Sequence, residues 1–165
     1  MNDIAAEKTA LRTETVKQLR AMTAEDRVAH SEEICERVLE MAEWAQAQTV
    51  ILFSPLPSEP IIDPLKLDCQ ARKVNCIKIG QSVKSETDLQ LPDTIDLVLV
   101  PGLAFSKDRH RLGRGGGFFD RLLSGRAANA FKLALAFDVQ VFDHVPIEGH
   151  DVVMDAVVTE TQTLR

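Results

Sequence analysis

The sequence predicts an α/β fold in three layers, α/β/α, a mostly parallel sheet with helices on both sides. Three observations carry it. Short β-branched and apolar runs alternate with longer helix-forming stretches. One run, Ile95 to Val100, reads Ile-Asp-Leu-Val-Leu-Val, the pattern of a central strand covered on both faces. Proline and glycine clusters follow the runs, so loops gather at strand ends. A length of 165 residues with 45% hydrophobic content suits one domain spanning residues 1–165.

From Ile4 to Met22 the chain lacks Gly and Pro, and Leu11, Thr15, Leu19 and Met22 recur at helical spacing, which predicts a first helix. Thr23 followed by Asp26 forms a capping signal, so a second helix is expected from Ala24 to Met41, burying Val28, Ile34, Cys35, Val38 and Leu39. Thr49 to Phe53 predicts a buried strand, stopped by Ser54-Pro55-Leu56-Pro57. A helix from Pro60 to Ala71, a strand from Val74 to Ile79 and a polar connection from Gln81 to Asp93 follow. After the central strand, a helix is expected to begin within the glycines near Gly117, with strands at Lys132 to Phe137 and Ala156 to Thr159. Ligands of such a sheet collect at the carboxyl ends of its strands, which brings together Phe53 to Glu59, Pro101 to Asp120 and His150 to Asp155.

The net charge of −6 argues against a broad nucleic-acid-binding face, so any anion site is local. Met1 to Lys17 lacks the apolar core of a signal peptide and no stretch is long enough for a membrane span, so a cytoplasmic protein without a membrane partner is expected. Cys35, Cys69 and Cys76 have neither disulfide-framework nor zinc spacing, which predicts buried thiols. Of the four histidines only His150 stands out, through its neighbour Asp151.

The strongest local signal is Arg111-Leu-Gly-Arg-Gly-Gly-Gly-Phe-Phe-Asp-Arg121, with four glycines and three arginines in eleven positions. Without Cβ atoms the backbone can approach a ligand and aim several N–H groups at it, so phosphate is the natural guest; a tight loop needing glycine dihedrals is the structural alternative. The segment is not a P-loop, lacking Gly-Lys-Ser/Thr. Nor is it a dinucleotide turn, since Phe118 stands where a third glycine is required and about a dozen residues separate it from Pro101. Asp120 would repel a bare phosphate unless a hard cation such as Mg²⁺ lay between them, or it serves only the helix start; Asp151 and Asp155 are further oxygen donors. Lys8 and Arg12 share a helix face at i and i+4, which favours a bound anion or a solvated basic face. Glu59 offers an acceptor beside a strand end.

In chain order, Lys8-x-x-Leu11-Arg12, Phe53 to Glu59, Val100-Pro-Gly-Leu-Ala-Phe105, the Arg111 to Arg121 segment, Val145-Pro146, His150-Asp151 and Val158-Thr-Glu160 cover almost the whole sequence. This set resembles the 5-formyltetrahydrofolate cyclo-ligase family, also called methenyltetrahydrofolate synthetases. The resemblance implies a fold like that of sugar-phosphate isomerases and CoA-transferases, and ATP-dependent conversion of 5-formyltetrahydrofolate to 5,10-methenyltetrahydrofolate. It implies ATP on Lys8, Arg12 and the run Arg111, Leu112, Gly113, Arg114, Gly115, Gly116, Gly117, Phe118 and Phe119. It implies Mg²⁺ on Asp120 and Asp151, and a reduced folate against Phe53, Glu59 and Phe118. Arg114, Asp120 and Arg121 are the expected catalytic residues, with Arg111 either on phosphate or bracing the loop through a carboxylate. The expected state is a monomer whose partners are ATP and the folate.

The chain departs from the family pattern on the folate side. Phe53-Ser54-Pro55 stands for Tyr-x-Ser, and Phe118-Phe119 replaces an aromatic pair that commonly includes tyrosine, a residue this chain lacks entirely. The family's Gly-Ile-x-Glu-Pro segment is missing from the short stretch between Gly80 and Leu91. Two alternatives therefore stand beside the main reading: a paralogue acting on another metabolite, and a non-catalytic nucleotide-binding module.

Overall fold

A computed structural model describes residues 3–165. Among the described residues, five α-helices, α1 (Ile4–Ala21), α2 (Ala24–Leu39), α3 (Ala42–Gln46), α4 (Asp63–Arg72) and α5 (Phe118–Ser124), accompany nine strands. Of these, β1 (Thr49–Phe53), β2 (Asn75–Ile79), β3 (Leu97–Val100), β6 (Phe131–Leu135), β8 (Ala156–Val158) and β9 (Thr163–Leu164) form one sheet in the order β2-β1-β3-β6-β8-β9. All its pairs are parallel except β8 with β9.

The alternation of side chains along each strand separates two cores. Leu97 and Leu99 of β3, with Val50, Leu52, Leu133 and Leu135, pack against Leu19 of α1, Ile34 and Val38 of α2, Trp44 of α3 and Leu65 of α4. Val98 and Val100, with Ile51, Ala134 and Val157, pack against Leu122 and Leu123 of α5. The mainly parallel sheet between two helical layers is the architecture expected from the alternating runs.

Helix boundaries differ where tertiary packing overrides local signals. The Thr23 cap forms, its hydroxyl oxygen accepting from Asp26 N–H at 3.0 Å. However, α2 ends at Leu39, and Met41 turns extended before α3. That break carries Trp44 into the core, where its indole N–H donates to Asp68 at 2.8 Å. Val28 and Leu39, expected to be buried, are 47% and 38% exposed because they lie towards the two ends of α2, outside the core that Ile34, Cys35 and Val38 enter. The helix expected from Pro60 starts at Asp63 with Pro64 in its first turn, leaving Pro60 in a loop.

A small second sheet has no counterpart in the sequence reading. Here β4 (Ala104–Ser106) pairs antiparallel with β5 (Arg111–Leu112) and parallel with β7 (Val141–Phe142). The hairpin of β4 and β5 accounts for the dozen residues between Pro101 and the glycines. It leaves the end of β3 and returns, with Leu103 N–H donating to Leu112 C=O at 2.8 Å, so the glycine segment comes back to the carboxyl edge of the main sheet.

Candidate functional site

A cavity of about 520 Å³ opens at that edge, bounded by the loops after β1, β2 and β3, by α1 and by the glycine segment. Lys8, Arg12, Phe53, Glu59, Asp120 and Asp151 all reach its wall, as do all residues from Arg111 to Phe119. Positions up to 143 residues apart thus meet in one concavity, within the usual size range of ligand sites. Arg121 is not brought to it. Its guanidinium instead donates to Gly116 C=O at 3.0 Å from the helix side.

The glycine segment is held from outside and open within. Arg12 Nε donates to Gly113 C=O at 2.9 Å, and Arg121 holds Gly116. Gly115 and Gly117 take φ of +111° and +71°, conformations that any side chain would strain. The N–H groups of Gly115 and Gly116 have no hydrogen-bond acceptor among the described residues. Free donors on a glycine-rich loop, flanked by Lys8 and Arg12, are groups of the kind that suit a multiply charged anion.

Beneath the loop lies Arg111, its side chain only 7% exposed. Its Nε donates to Pro101 C=O at 2.7 Å, Nη1 stands 3.5 Å from Asp120 Oδ1, and the guanidinium lies 5.4 Å over the Phe119 ring. Burial pulls its pKa below the ordinary arginine value, while Asp120, Glu59 and Asp151 act in the opposite direction. A Cβ at Gly113 would come within 2.9 Å of this guanidinium. Arg111 is therefore a buried brace that ties the strand end to Asp120.

Lys8 and Arg12 share the cavity face of α1, as their spacing predicts. Lys8 Nζ lies 3.2 Å from Asp151 Oδ2 and 3.6 Å from Glu148, which offsets the repulsion between the two cations. Asp151 also accepts from Glu148 N–H at 2.8 Å. Burial alone would raise the Asp151 pKa, but the Glu148 N–H, Lys8 and His150 outweigh it and hold the carboxyl below its ordinary value. Ligand atoms of Glu148, His150 and Asp151 lie within 4.8 Å of one another.

Glu59 also lines the cavity, its side chain only 6% exposed. Its Oε2 accepts from Leu56 N–H at 3.0 Å, while Oε1 stands 3.4 Å from Arg114 Nε. Arg114 Nη2 reaches Ser58 Oγ at 3.2 Å, so this arginine spans the two loops. Phe118 and Phe119 meet edge to face at 5.3 Å, and Phe53 closes the floor at the end of β1.

The model of the 5-formyltetrahydrofolate cyclo-ligase family matches residues 4–79 and 71–160. The chain belongs to this family. Among cyclo-ligases, the mouse 5-formyltetrahydrofolate cyclo-ligase is 25% identical over 189 aligned positions, covering 93% of both chains. A solved 5,10-methenyltetrahydrofolate synthetase from Mycoplasma pneumoniae shares the fold, with a TM-score of 0.80, 21% identity and coverage of 93% of this chain and 99% of that one. The Aquifex aeolicus 5,10-methenyltetrahydrofolate synthetase superposes with a TM-score of 0.79 at 24% identity, covering 96% and 92%. The two stretches matched to the cyclo-ligase family overlap over residues 71–79, which contain β2, just before the connection that lacks Gly-Ile-x-Glu-Pro.

Two residues that shape this cyclo-ligase cavity, Gln140 and Glu148, carried little signal in the sequence. Buried Gln140 donates to Gly102 and Leu103 C=O at 2.8 and 3.0 Å and accepts from Phe137 N–H, holding the loop after β3. Its one mark in the sequence is an amide between Val139 and Val141. Glu148 is legible only through its proximity to His150-Asp151.

The depressed Asp151 pKa sets a pH dependence. The stability it contributes is present above the unfolded carboxylate pKa and is lost as pH falls through the lower folded value. Asp151→Asn is thus expected to lower the melting temperature at pH 7 and to differ little from wild type near pH 2, as read by thermal denaturation across that range.

Proposed function

We propose that this chain is an ATP-dependent 5-formyltetrahydrofolate cyclo-ligase. The observation that carries the reading is one cavity lined both by a glycine loop with free N–H groups and by the buried Glu59 carboxylate, in a chain of the cyclo-ligase family. The γ-phosphate of ATP accepts attack by the formyl oxygen; the bond to ADP breaks, leaving a phosphorylated formyl group. The folate N10 then bonds to that carbon and gives up its proton. Inorganic phosphate departs with the former formyl oxygen, leaving the methenyl bridge.

Lys8, Arg12 and Arg114, with the free N–H groups of Gly115 and Gly116, neutralise the charge spread over the phosphoryl oxygens. Positioning carries the catalysis, and no protein nucleophile is needed. Glu59 accepts hydrogen bonds from the amino-bearing pterin ring, with Phe53 and Phe118 on its apolar faces. Arg111 serves this assembly as a brace for Asp120, and Arg121 through its hold on Gly116. A hard cation such as Mg²⁺ suits carboxylate donors, here the partly exposed Asp120 and Asp151, whose Oδ2 is engaged while Oδ1 lies beside His150. Asp120 and Asp151 would hold that ion, which supplies charge neutralisation on the phosphates when bound.

One domain acting as a monomer in the cytoplasm completes the reading. Its three cysteines are free thiols, and no described helix is long and apolar enough to cross a membrane. Phe53 and the missing tyrosines favour, as a second reading, a family member with a related formylated substrate. Substrate labelled with ¹⁸O in the formyl group tests the reaction. The label is expected in inorganic phosphate, with one ADP formed per methenyl product; label in water alone would contradict phosphorylation of the formyl oxygen.

A further inference from the structure

Arg27, Ser31 and Cys35 recur every fourth residue on α2, and each bonds the backbone of the segment from Leu56 to Ile61. Arg27 Nε donates to Glu59 C=O at 2.8 Å and its Nη2 to Leu56 C=O at 3.1 Å. Ser31 Oγ accepts from Ile61 N–H at 2.9 Å, and the Cys35 thiol donates to Ile61 C=O at 3.3 Å. Burial first, then Asp63, pushes that thiol up to about 12, so it keeps its proton for this bond at neutral pH.

The turn itself is closed by Glu59 N–H on Leu56 C=O at 3.0 Å and by the Glu59 carboxylate on Leu56 N–H. Those two bonds set the shape of the turn and leave its place in the cavity open. The α2 stripe supplies that place, and Arg27 is its only member bonded to the Leu56 to Glu59 turn, among the described residues. A guanidinium suits the task because its rigid fork meets two carbonyls at once, whereas an ammonium has no fork. Arg27 does not line the cavity.

We propose that Arg27 is a positioning residue for the substrate end of the cavity, fixing the Glu59 carboxylate by gripping both carbonyls of the turn that carries it. The inference rests on the cyclo-ligase reading, in which Glu59 meets the pterin. Arg27 holds the folate side from α2, while Arg12 holds the glycine loop from α1 at Gly113, and the Arg114 side chain joins the two ends.

Steady-state kinetics of Arg27→Gln and Arg27→Lys test it, together with hydrogen exchange of each protein. In Arg27→Gln the KM for 5-formyltetrahydrofolate is expected to rise about tenfold, with the KM for ATP within about twofold of wild type. Arg27→Lys, which keeps the charge and loses the fork, is expected to fall between. Faster exchange is expected in residues 56–61 with the glycine loop unchanged. An unchanged folate KM, or a parallel rise in both KM values with general loss of protection, would overturn the proposal. Wild-type protein inactive on 5-formyltetrahydrofolate would instead sink the functional reading and the folate half of this inference with it. The exchange pattern would still decide whether Arg27 anchors the turn.

Discussion

Asp120→Asn is expected to reduce turnover about a thousandfold while leaving the fold intact. The substitution keeps an oxygen at Oδ1, so buried Arg111 retains an acceptor 3.5 Å from its Nη1. What is removed is one negative charge from the cavity wall, where Asp120 and Asp151 are proposed to share Mg²⁺. Asp120→Ala removes the acceptor as well. It leaves Arg111 with Pro101 C=O and the Phe119 ring as its closest partners, so a fall in melting temperature should accompany the lost activity. Comparing the two separates chemistry from bracing: Asp120→Asn with near-wild-type turnover would show that Asp120 serves Arg111 alone.

Glu59→Gln is expected to lower kcat/KM for the folate about a hundredfold with little change in the KM for ATP. The amide oxygen can still accept from Leu56 N–H, which keeps the turn closed. The amide nitrogen now faces Arg114 in place of a carboxylate oxygen 3.4 Å away, and the charged acceptor for an amino-bearing ring is gone. Single-substrate titrations of kcat and KM measure the effect. Equal losses toward both substrates would mean that Glu59 acts mainly by steering Arg114 on the nucleotide side.

The layered sheet was legible because the strands of a parallel sheet are apolar on both faces, and Leu97 to Val100 feeds two cores at once. The position of the cavity followed from the same logic, since loops at the carboxyl edge converge. The small sheet was not legible. Strands of two or three residues, such as Arg111–Leu112, leave no periodic pattern and are defined by pairing across distant segments. The role of Arg111 was open for the same reason: its neighbours Pro101, Asp120 and Phe119 become neighbours only when the hairpin folds back. Arg27 shows a further limit. Its bonds go to backbone carbonyls, whose positions no side-chain pattern records.

The central claim is tested most directly by supplying purified protein with 5-formyltetrahydrofolate, ATP and Mg²⁺ and following the near-ultraviolet absorbance of the methenyl product. Product is expected to accumulate only when ATP is present and to stop with Asp120→Asn. Demonstrable ATP binding without methenyl product would contradict the account and make another formylated metabolite the substrate to seek.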